Sequence, residues 1–178
     1  MRDISLYVLD IAENSIQAEA TFLDIELKID SETVEFRVTD NGSGMKRKTL
    51  KKATEPFFST KGKATGLGLA FLKMRTDQCG GKLLLKSKWK KGTDVQALFP
   101  RQHIDRPPLG AMEKTLVVLL SEANVKLFFK FDFEGKRYKF DSEEFFKESN
   151  GRRYTFKLKE AENEIKRNIQ TILGGVFI

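Results

Sequence analysis

Three short segments in the first half of the chain constrain its fold more than any other feature. They are the polar pair Asp10 and Asn14, the glycine-containing stretch 40–45, and a second glycine-containing stretch, 65–70. Asn14 precedes Asp40 by 26 residues, and Asp40 precedes Gly66 by another 26. The first interval has room for a pair of strands and the second for a short helix and a loop. We therefore expect the three segments to meet at one site of an α/β fold.

The first segment lies on a predicted amphipathic helix over residues 3–18, where apolar residues recur at helical spacing and Asp3 can cap the start. Asp10, Asn14 and Gln17 fall on one stripe beside the apolar face. An amide oxygen such as that of Asn14 suits Mg²⁺, which takes one or two protein oxygens when phosphates supply others. Asp10, one turn earlier, could polarise a water or hydroxyl. Taken alone, this stripe is better explained as the solvated face of an ordinary helix.

The second segment follows two predicted strands, 21–29 and 34–39, in which apolar and polar residues alternate. Asp40 therefore stands at a strand end. Its carboxylate can accept a hydrogen bond from an exocyclic amine such as that of adenine, and Gly42 and Gly44 allow positive φ and the close approach of a flat ring. The alternative for this segment by itself is a simple Asp-Asn-Gly turn.

The third segment leads directly into an apolar helical run over residues 67–74. Free N–H groups and the helix dipole make a helix start a binding place for anions, and Lys61 adds positive charge to the preceding loop. Glycines such as Gly66 and Gly68 also open many helices without any ligand. The third segment is therefore informative only together with the other two.

In this order and spacing, the segments resemble the motifs of the GHKL superfamily, the ATPases that include DNA gyrase, heat-shock chaperones, histidine kinases and mismatch-repair proteins. Residues 10–14 are similar to its asparagine box, 40–45 to its first glycine box and 65–70 to its second. Residues 55–62 are similar to the phenylalanine box and lid entry of the histidine-kinase branch, and the pair Gly92-Thr93 to the start of its last strand.

The resemblance covers roughly residues 3–100 and implies a two-layer α/β (α+β) sandwich of the Bergerat type. A mixed sheet would be covered on one face by helices. We expect strands near residues 21–29, 33–39, 81–88 and 94–99, and helices near 4–18, 46–53 and 67–78. A lid over residues 54–66 would cover the nucleotide and order on phosphate contact.

The resemblance also implies how the chain would hold ATP and Mg²⁺. Asp40 would accept from the adenine amine, with Thr93 nearby, in a pocket shaped by Gly42 and Gly44. Asn14 would hold Mg²⁺ against the phosphates.

At the other end of the nucleotide, Asp10 would orient the attacking nucleophile. It stands where relatives often carry glutamate, an amide or an imidazole, and Gln17 stands where histidine kinases often carry a basic residue. The phosphate tail would be bound by Lys61 and by the main-chain amides of Gly66, Leu67 and Gly68.

A histidine kinase needs a phospho-acceptor, and the sequence offers no convincing one. The only histidine, His103, lies in a proline-punctuated linker, and nothing precedes the first helix. We therefore expect the acceptor to belong to a partner protein, with the chain acting as a stand-alone histidine-kinase-like or anti-sigma-factor-like kinase in trans. A non-catalytic module that senses ATP or ADP and an ATP-hydrolysing clamp are the alternatives.

Composition favours a cytoplasmic protein without a membrane segment. The 178 residues carry a net charge of +7 and one cysteine, and no apolar run approaches the ~18 residues needed to cross a bilayer. Basic clusters occur on both sides of the third segment, at Lys46, Arg47, Lys48, Lys51 and Lys52, and at Lys82, Lys86, Lys88, Lys90 and Lys91. A solvated face beside a polyphosphate site explains them with fewer assumptions than nucleic-acid binding, which we do not expect.

The pattern divides the chain into an ATP-binding domain (1–100), a linker (101–110) and a small α+β domain (111–178). In the last of these we expect a helix over 111–123, a hairpin around Glu134-Gly135, a strand over 154–158 and a helix over 160–173. Its many phenylalanines indicate a core of its own. Docking of a partner or formation of a homodimer is its expected role, and simple packing against the ATP-binding domain is the alternative.

Overall fold

The computed structural model describes residues 3–56, 58, 67–122, 125–147 and 155–176. In chain order the first half forms α1 (Ile4–Gln17), β1 (Phe22–Ile29), β2 (Thr33–Asp40), α2 (Arg47–Lys52), α3 (Gly68–Gln78), β3 (Lys82–Lys88) and β4 (Gly92–Pro100). The second half forms α4 (Met112–Glu122), β5 (Lys126–Phe133), β6 (Lys136–Asp141), α5 (Ser142–Phe145) and α6 (Thr155–Leu173). No helix of this described part is long and apolar enough to cross a membrane.

The strands form one mixed sheet in the order β3-β4-β2-β1-β5-β6. All neighbours pair antiparallel except β1 and β5, which run parallel. Parallel strands need a long connection between them. Here that connection contains the whole of β2 to α4, so the sheet is assembled from distant parts of the chain.

Alternation along the strands gives the sheet one apolar face and one polar face. In β1, every second residue from Leu23 to Ile29 is at most 1% exposed, and the residues between them are more open. The register places Ile25 beside Phe129 and Leu27 beside Phe131 on the buried side. A strand pair with this period must present the same face to the core along its whole length.

Helices cover that apolar face. Asp3 caps α1, its carboxylate accepting from the Leu6 N–H at 2.9 Å. Helix α4 packs against both α1 and α6, and α3 packs against β3 and β4. The opposite face carries charges that pair with one another, as Lys130 does with Asp24 at 2.9 Å. This is the mixed sheet with helices on one face that the sequence predicted.

The expected elements of the first half are confirmed to within a few residues at each end. Strand β4 begins at Gly92, two residues earlier than predicted. Most of the expected lid, including residues 57 and 59–66, lies outside the described residues.

The second half differs from expectation in two ways. The predicted hairpin forms, but β5 pairs with β1 and extends the sheet, and buried residues from both halves form one continuous core. A core confined to 111–178 is therefore absent among the described residues, because β1 offers an open edge that β5 completes. Where the chain divides into domains stays a prediction.

The strand expected over residues 154–158 is wrong, since α6 begins at Thr155. Ala161, Ile165 and Ile169 are its buried residues, and a spacing of four is the helical period. Leu158 extends that stripe by nearly one more turn, whereas Phe156 is 60% exposed. The segment is helical because this stripe packs into the core.

Candidate functional site

A cavity of about 270 Å³ opens where α1, the end of β2, the start of β4 and the start of α3 meet. It contains residues from all three sequence segments. The described residues that line it are Ile11, Asn14, Ser15, Gln17, Ala18, Asp40, Ser43, Gly44, Met45, Thr49, Ala53, Phe58, Gly68, Leu69, Thr93 and Val95.

Asp40 is the buried charge of this cavity, with only 7% of its surface exposed. One carboxylate oxygen accepts from the Ser15 hydroxyl at 2.7 Å. The other accepts from the Gly42 N–H at 2.8 Å and the Thr93 N–H at 3.2 Å. A buried carboxylate is costly unless such donors surround it. These three bonds fix Asp40 as an acceptor facing the cavity from the end of β2.

Close backbone packing explains two glycines near Asp40. Gly44 has φ +60°, and a Cβ there would lie 2.1 Å from the Lys88 carbonyl oxygen. Gly92 has φ +98°, and a Cβ there would lie 1.9 Å from the carbonyl oxygen of Asp40 itself. Any side chain would push the two segments apart. The glycines therefore allow the start of β4, with Thr93, to approach Asp40.

Hydrogen bonds from side chains and from the main chain also join the loop after Asp40 to the β3–β4 turn. The Met45 N–H donates to the Ser87 hydroxyl oxygen at 2.8 Å, and the Lys90 N–H donates to the Ser43 carbonyl at 2.6 Å. Ser87 also lies 3.0 Å from the Thr93 hydroxyl. The loop after Asp40 and the β3–β4 turn thus form one rigid wall of the cavity.

Asn41, the neighbour of Asp40, has a structural role instead. Its side-chain oxygen accepts from the Thr21 and Phe22 N–H groups, both at 2.9 Å. Its amide donates to the Thr21 hydroxyl at 2.9 Å. Asn41 thereby ties the start of β1 to the end of β2 and faces away from the cavity lining.

Asn14 faces the cavity from α1. Its side-chain nitrogen donates to the Asp10 carbonyl oxygen at 2.8 Å. This bond turns the amide oxygen outward, and the oxygen is the atom of an amide that binds a hard cation. Asn14 is exposed as well as cavity-lining, so a cation can reach it.

Asp10 and the start of α3 lie together. A Cβ on Gly68 would be 3.4 Å from an Asp10 carboxylate oxygen. Leu67, which precedes the helix, makes no capping hydrogen bond through its side chain. The first N–H groups of a helix have no partner within it. The start of α3 therefore presents amides and the positive end of a helix dipole beside Asp10.

The donor set fits a magnesium ion held jointly with phosphate. Within the described residues there is no cluster of three His, Cys, Asp or Glu side chains that could hold a metal. Asn14 and Asp10 supply oxygen atoms one helical turn apart. Mg²⁺ commonly keeps its waters and takes one or two protein oxygens together with phosphate oxygens.

Most of the predicted site residues come together here. Asp10, Asn14, Asp40, Gly44, Gly68 and Thr93 lie in or against the cavity. Gly42 lies behind Asp40 as one of its donors, and Leu67 immediately precedes α3. Lys61 and Gly66 lie outside the described residues.

The sequence analysis missed Ser15 and Ser87. Ser15 is 4% exposed, and its position four residues after Ile11 places it on the buried stripe of α1, where a hydroxyl needs a partner. That burial is the signal that could have pointed to Asp40. Ser87 gave no comparable signal, because its partners Met45 and Thr93 lie in other segments.

Comparisons with known proteins agree with the geometry. Residues 2–103 match the family described as histidine kinase-, DNA gyrase B- and HSP90-like ATPase. Over 91 residues the chain is 38% identical to sensor kinase CckA of Brucella abortus, covering 48% of this chain and 10% of that protein. Over 96 residues it is 32% identical to sporulation kinase B of Bacillus subtilis, covering 52% of this chain and 22% of that protein. The chain thus spans less than a quarter of the length of either kinase.

A solved structure shares the fold. The crystal structure of the N-terminal domain of a DNA repair protein superposes with a TM-score of 0.54 at 19% identity. The match covers 78% of this chain and 52% of that one. The superposition therefore extends beyond the part of the chain that the family description covers.

Proposed function

The chain belongs to the histidine kinase-, DNA gyrase B- and HSP90-like ATPase family, and from this we propose that it transfers the γ-phosphoryl group of Mg-ATP to a partner protein. It would act as a stand-alone catalytic domain of the histidine-kinase kind. The observation that carries the proposal is the meeting of three groups around one cavity: the buried Asp40, the amide oxygen of Asn14, and the start of α3, which lies beside Asp10 and whose N-cap residue Leu67 makes no side-chain hydrogen bond.

The two ends of the cavity suit the two ends of ATP. At one end, Asp40 is a fixed acceptor for the adenine amine, and apolar side chains such as Ile11, Met45 and Val95 can contact the flat ring. At the other end, the α3 amides suit phosphate oxygens. The proposed orientation of the nucleotide follows from these two chemistries.

Asn14 would hold Mg²⁺, with Asp10 one turn away. The metal supplies neutralisation of the phosphate charge, which is a large part of what phosphoryl transfer requires. Asp10 would orient the acceptor group and take its proton. The bond from the γ-phosphorus to the acceptor forms while the bond to the β,γ-bridging oxygen breaks, and ADP leaves.

The position of His103 argues against this residue as the acceptor. His103 follows the end of β4 at Pro100, whereas Thr93 lines the cavity at the start of the same strand. At about 3.3 Å per residue, the strand separates the two ends by roughly 20 Å. Phosphoryl transfer needs contact distance, so the chain's only histidine is out of reach of its own cavity.

Calorimetry with Mg-ATP and Mg-ADP tests the first step. We expect saturable binding, and we expect Asp40→Asn to weaken it by about tenfold or more, since a hydrogen bond to a charged group contributes about 1.5–3 kcal/mol. Asp77→Asn, an exposed carboxylate at the end of α3, is the matched control and should bind normally. Absence of binding, or equal binding by all three proteins, would refute the proposed site.

Labelled ATP tests the second step. With candidate partner proteins present, we expect label on the partner, and we expect Asp10→Asn to abolish the transfer while nucleotide binding remains. Steady phosphate release without transfer would identify a hydrolase. Binding with neither transfer nor release, together with an unchanged partner response in Asp10→Asn, would identify a nucleotide sensor.

A further inference from the structure

Two stretches of the sequence are basic without any acidic residue. Residues 41–54 and 82–93 together contain ten lysines and arginines and neither aspartate nor glutamate. These ten charges exceed the net charge of +7 of the whole chain, so the rest of the chain carries an excess of acidic residues. The positive charge is therefore concentrated in these two stretches.

The fold brings the two stretches together. The Lys90 N–H bond to Ser43 and the Met45 N–H bond to Ser87 join them. The Lys46 ammonium lies 5.0 Å from the centroid of the Trp89 ring. Around Trp89 they form a basic patch, which we define as Lys46, Arg47, Lys48, Lys51, Lys52, Lys86, Lys88, Lys90 and Lys91.

The charges of the basic patch are exposed, and none of them forms an ion pair with another described residue. All nine side chains are exposed, and the ion pairs found within the described part of the chain include none of them. Asp94, which is opposite Lys86 in the sheet, is held by two bonds from Arg37 at 2.8 and 2.7 Å. A dense cluster of like charges repels itself and attracts an anionic surface.

The nucleotide does not account for the basic patch. Thr49 and Ala53 of the α2 region line the cavity, whereas the exposed basic residues of that region are absent from the lining. Lys86, Lys88 and Lys91 are also absent from the cavity lining, and they border a second, shallow depression that shares only Asp40 and Thr93 with the cavity. In the proposed orientation the phosphates lie at the start of α3, and the β3–β4 turn adjoins the adenine end instead.

The form of the patch favours a protein over a nucleic acid. Single-stranded nucleic acid is bound by several aromatic platforms along a basic groove. Here the patch has one aromatic ring, Trp89, and Lys46 already lies against it. An acidic protein surface needs only the distributed charges, which set the rate and orientation of docking.

We propose that the basic patch docks an acidic surface of the partner protein, next to the mouth of the nucleotide cavity. That this partner is the phosphoryl acceptor rests on the function proposed above; the docking itself does not require ATP. Thr49 and Ala53 of the α2 region line the nucleotide cavity, and exposed lysines of the basic patch lie on the same region. A partner bound to those lysines would therefore lie beside the bound nucleotide.

The test uses the full chain without nucleotide. A labelled peptide rich in Glu and Asp and a labelled oligothymidylate of equal charge are titrated, with anisotropy as the readout. We expect the peptide to bind more tightly than the oligonucleotide and to change the emission of Trp89, the only tryptophan, with the same midpoint. Tighter binding of the oligonucleotide, or no binding of the peptide, would overturn the proposal.

Charge reversals locate the binding. Lys51→Glu with Lys52→Glu should weaken peptide binding at least about tenfold. Lys136→Glu with Lys139→Glu, two exposed lysines of β6 at the opposite edge of the sheet, should change it less than about twofold. Equal losses in both double variants would overturn the proposal.

Nucleotide binding separates this inference from the proposed function. The Lys51/Lys52 variant should bind Mg-ATP normally, and Asp40→Asn should lose ATP while it keeps the peptide. Loss of peptide binding in Asp40→Asn would refute an independent docking surface. If the chain fails to bind ATP but the peptide behaves as expected, the docking surface stands and the kinase proposal falls.

Discussion

The buried carboxylate of Asp40 is the group around which the candidate site is organised. Asp40 accepts hydrogen bonds from three different segments: from Ser15 on α1, from Gly42 after β2 and from Thr93 on β4. A buried carboxylate is costly without such donors. The position of the Asp40 carboxylate therefore depends on all three segments at once.

Ser15→Ala should weaken nucleotide binding while the fold is kept. The change removes the 2.7 Å bond to Asp40 and frees that carboxylate to rotate. We expect a loss of roughly 1–2 kcal/mol in the free energy of Mg-ATP binding, or about five- to thirtyfold in affinity, measured by calorimetry. Ser121→Ala, whose hydroxyl donates only to the Val118 carbonyl within α4, is the control. Unchanged affinity in Ser15→Ala would mean that Asp40 is positioned without it.

Asp30 gives a pH-dependent contribution to stability. It accepts from the N–H groups of Glu32 at 2.9 Å and Thr33 at 2.7 Å in the β1–β2 turn, and these bonds lower the pKa of its carboxyl. Because the folded state favours the carboxylate, the contribution is complete above the ordinary pKa of 3.8 and disappears as pH falls through the lowered folded value.

Asp30→Asn should therefore cost up to about 1 kcal/mol at pH 7, where solvent screening limits the value, and progressively less in acid. Urea unfolding followed by Trp89 fluorescence, at neutral pH and well below the ordinary aspartate pKa, measures the difference. A cost that does not change with pH would show that the amide also makes these bonds or that other groups dominate.

At the scale of residues, the sequence predicted which functional groups the site contains, but not which of them are hydrogen-bonded to one another. The residue types at positions 10, 14 and 40 indicated a carboxylate, an amide and an acceptor. In the structure Asn14 and Asp40 line one cavity, and Asp10 lies against Gly68, which lines it too. The sequence could not show that Ser15 bonds to Asp40, 25 residues away, because no periodicity links a hydroxyl on a helix with a strand end.

At the scale of elements, the 41–46 loop and the β3–β4 turn pack too closely for a side chain at Gly44. Gly44→Ala should destabilise the fold by about 2 kcal/mol or more beyond the conformational cost, because the added Cβ would lie 2.1 Å from the Lys88 carbonyl oxygen. Gly80→Ala is a matched control: its φ of +68° is close to the +60° of Gly44, but its Cβ would meet nothing within 4 Å.

Chemical denaturation measures both variants. The positive φ costs roughly 1–2 kcal/mol in each, so the difference between them isolates the steric contact. Equal destabilisation would show that the loop moves aside at little cost. Gly44→Ala should also reduce affinity for Mg-ATP, since Gly44 lines the cavity, whereas Gly80→Ala should not.

The sequence predicted most elements but not the pairing of β1 with β5. Alternation tells which face of a strand is buried, and both strands show it clearly. It does not tell which strand lies alongside, because a parallel neighbour can come from any part of the chain. The hairpin was accordingly placed in a separate small domain, although Leu23 lies beside Leu127 and Ile29 beside Phe133 in one sheet.

At the scale of the whole molecule, this sheet couples the second half of the chain to the nucleotide site. Strand β1 pairs with β2, which ends at Asp40, and with β5 on its other side. The Arg101 guanidinium also lies 2.6 Å from the Glu134 carboxylate, between the end of β4 and the hairpin turn. Residues beyond the family match therefore complete the core on which the site is built.

Phe129→Ala should lower the stability of the entire chain. Phe129 is fully buried on β5, between Ile25 of β1 and Phe140 of β6, and its truncation should cost about 3–5 kcal/mol. Trp89 lies at the opposite end of the sheet, on the β3–β4 turn. If the sheet unfolds as one unit, the Trp89 fluorescence midpoint in urea should fall together with the far-ultraviolet circular dichroism midpoint.

Phe156→Ala on α6, where the ring is 60% exposed, controls for the chemical change and should shift neither midpoint by much. Two independent domains would give a different pattern: circular dichroism would show an early transition for the weakened half, and the Trp89 midpoint would stay at the wild-type value. Strands β4, β2 and β1 lie between β3 and β5, so an effect of Phe129→Ala can reach Trp89 only through the shared sheet and core.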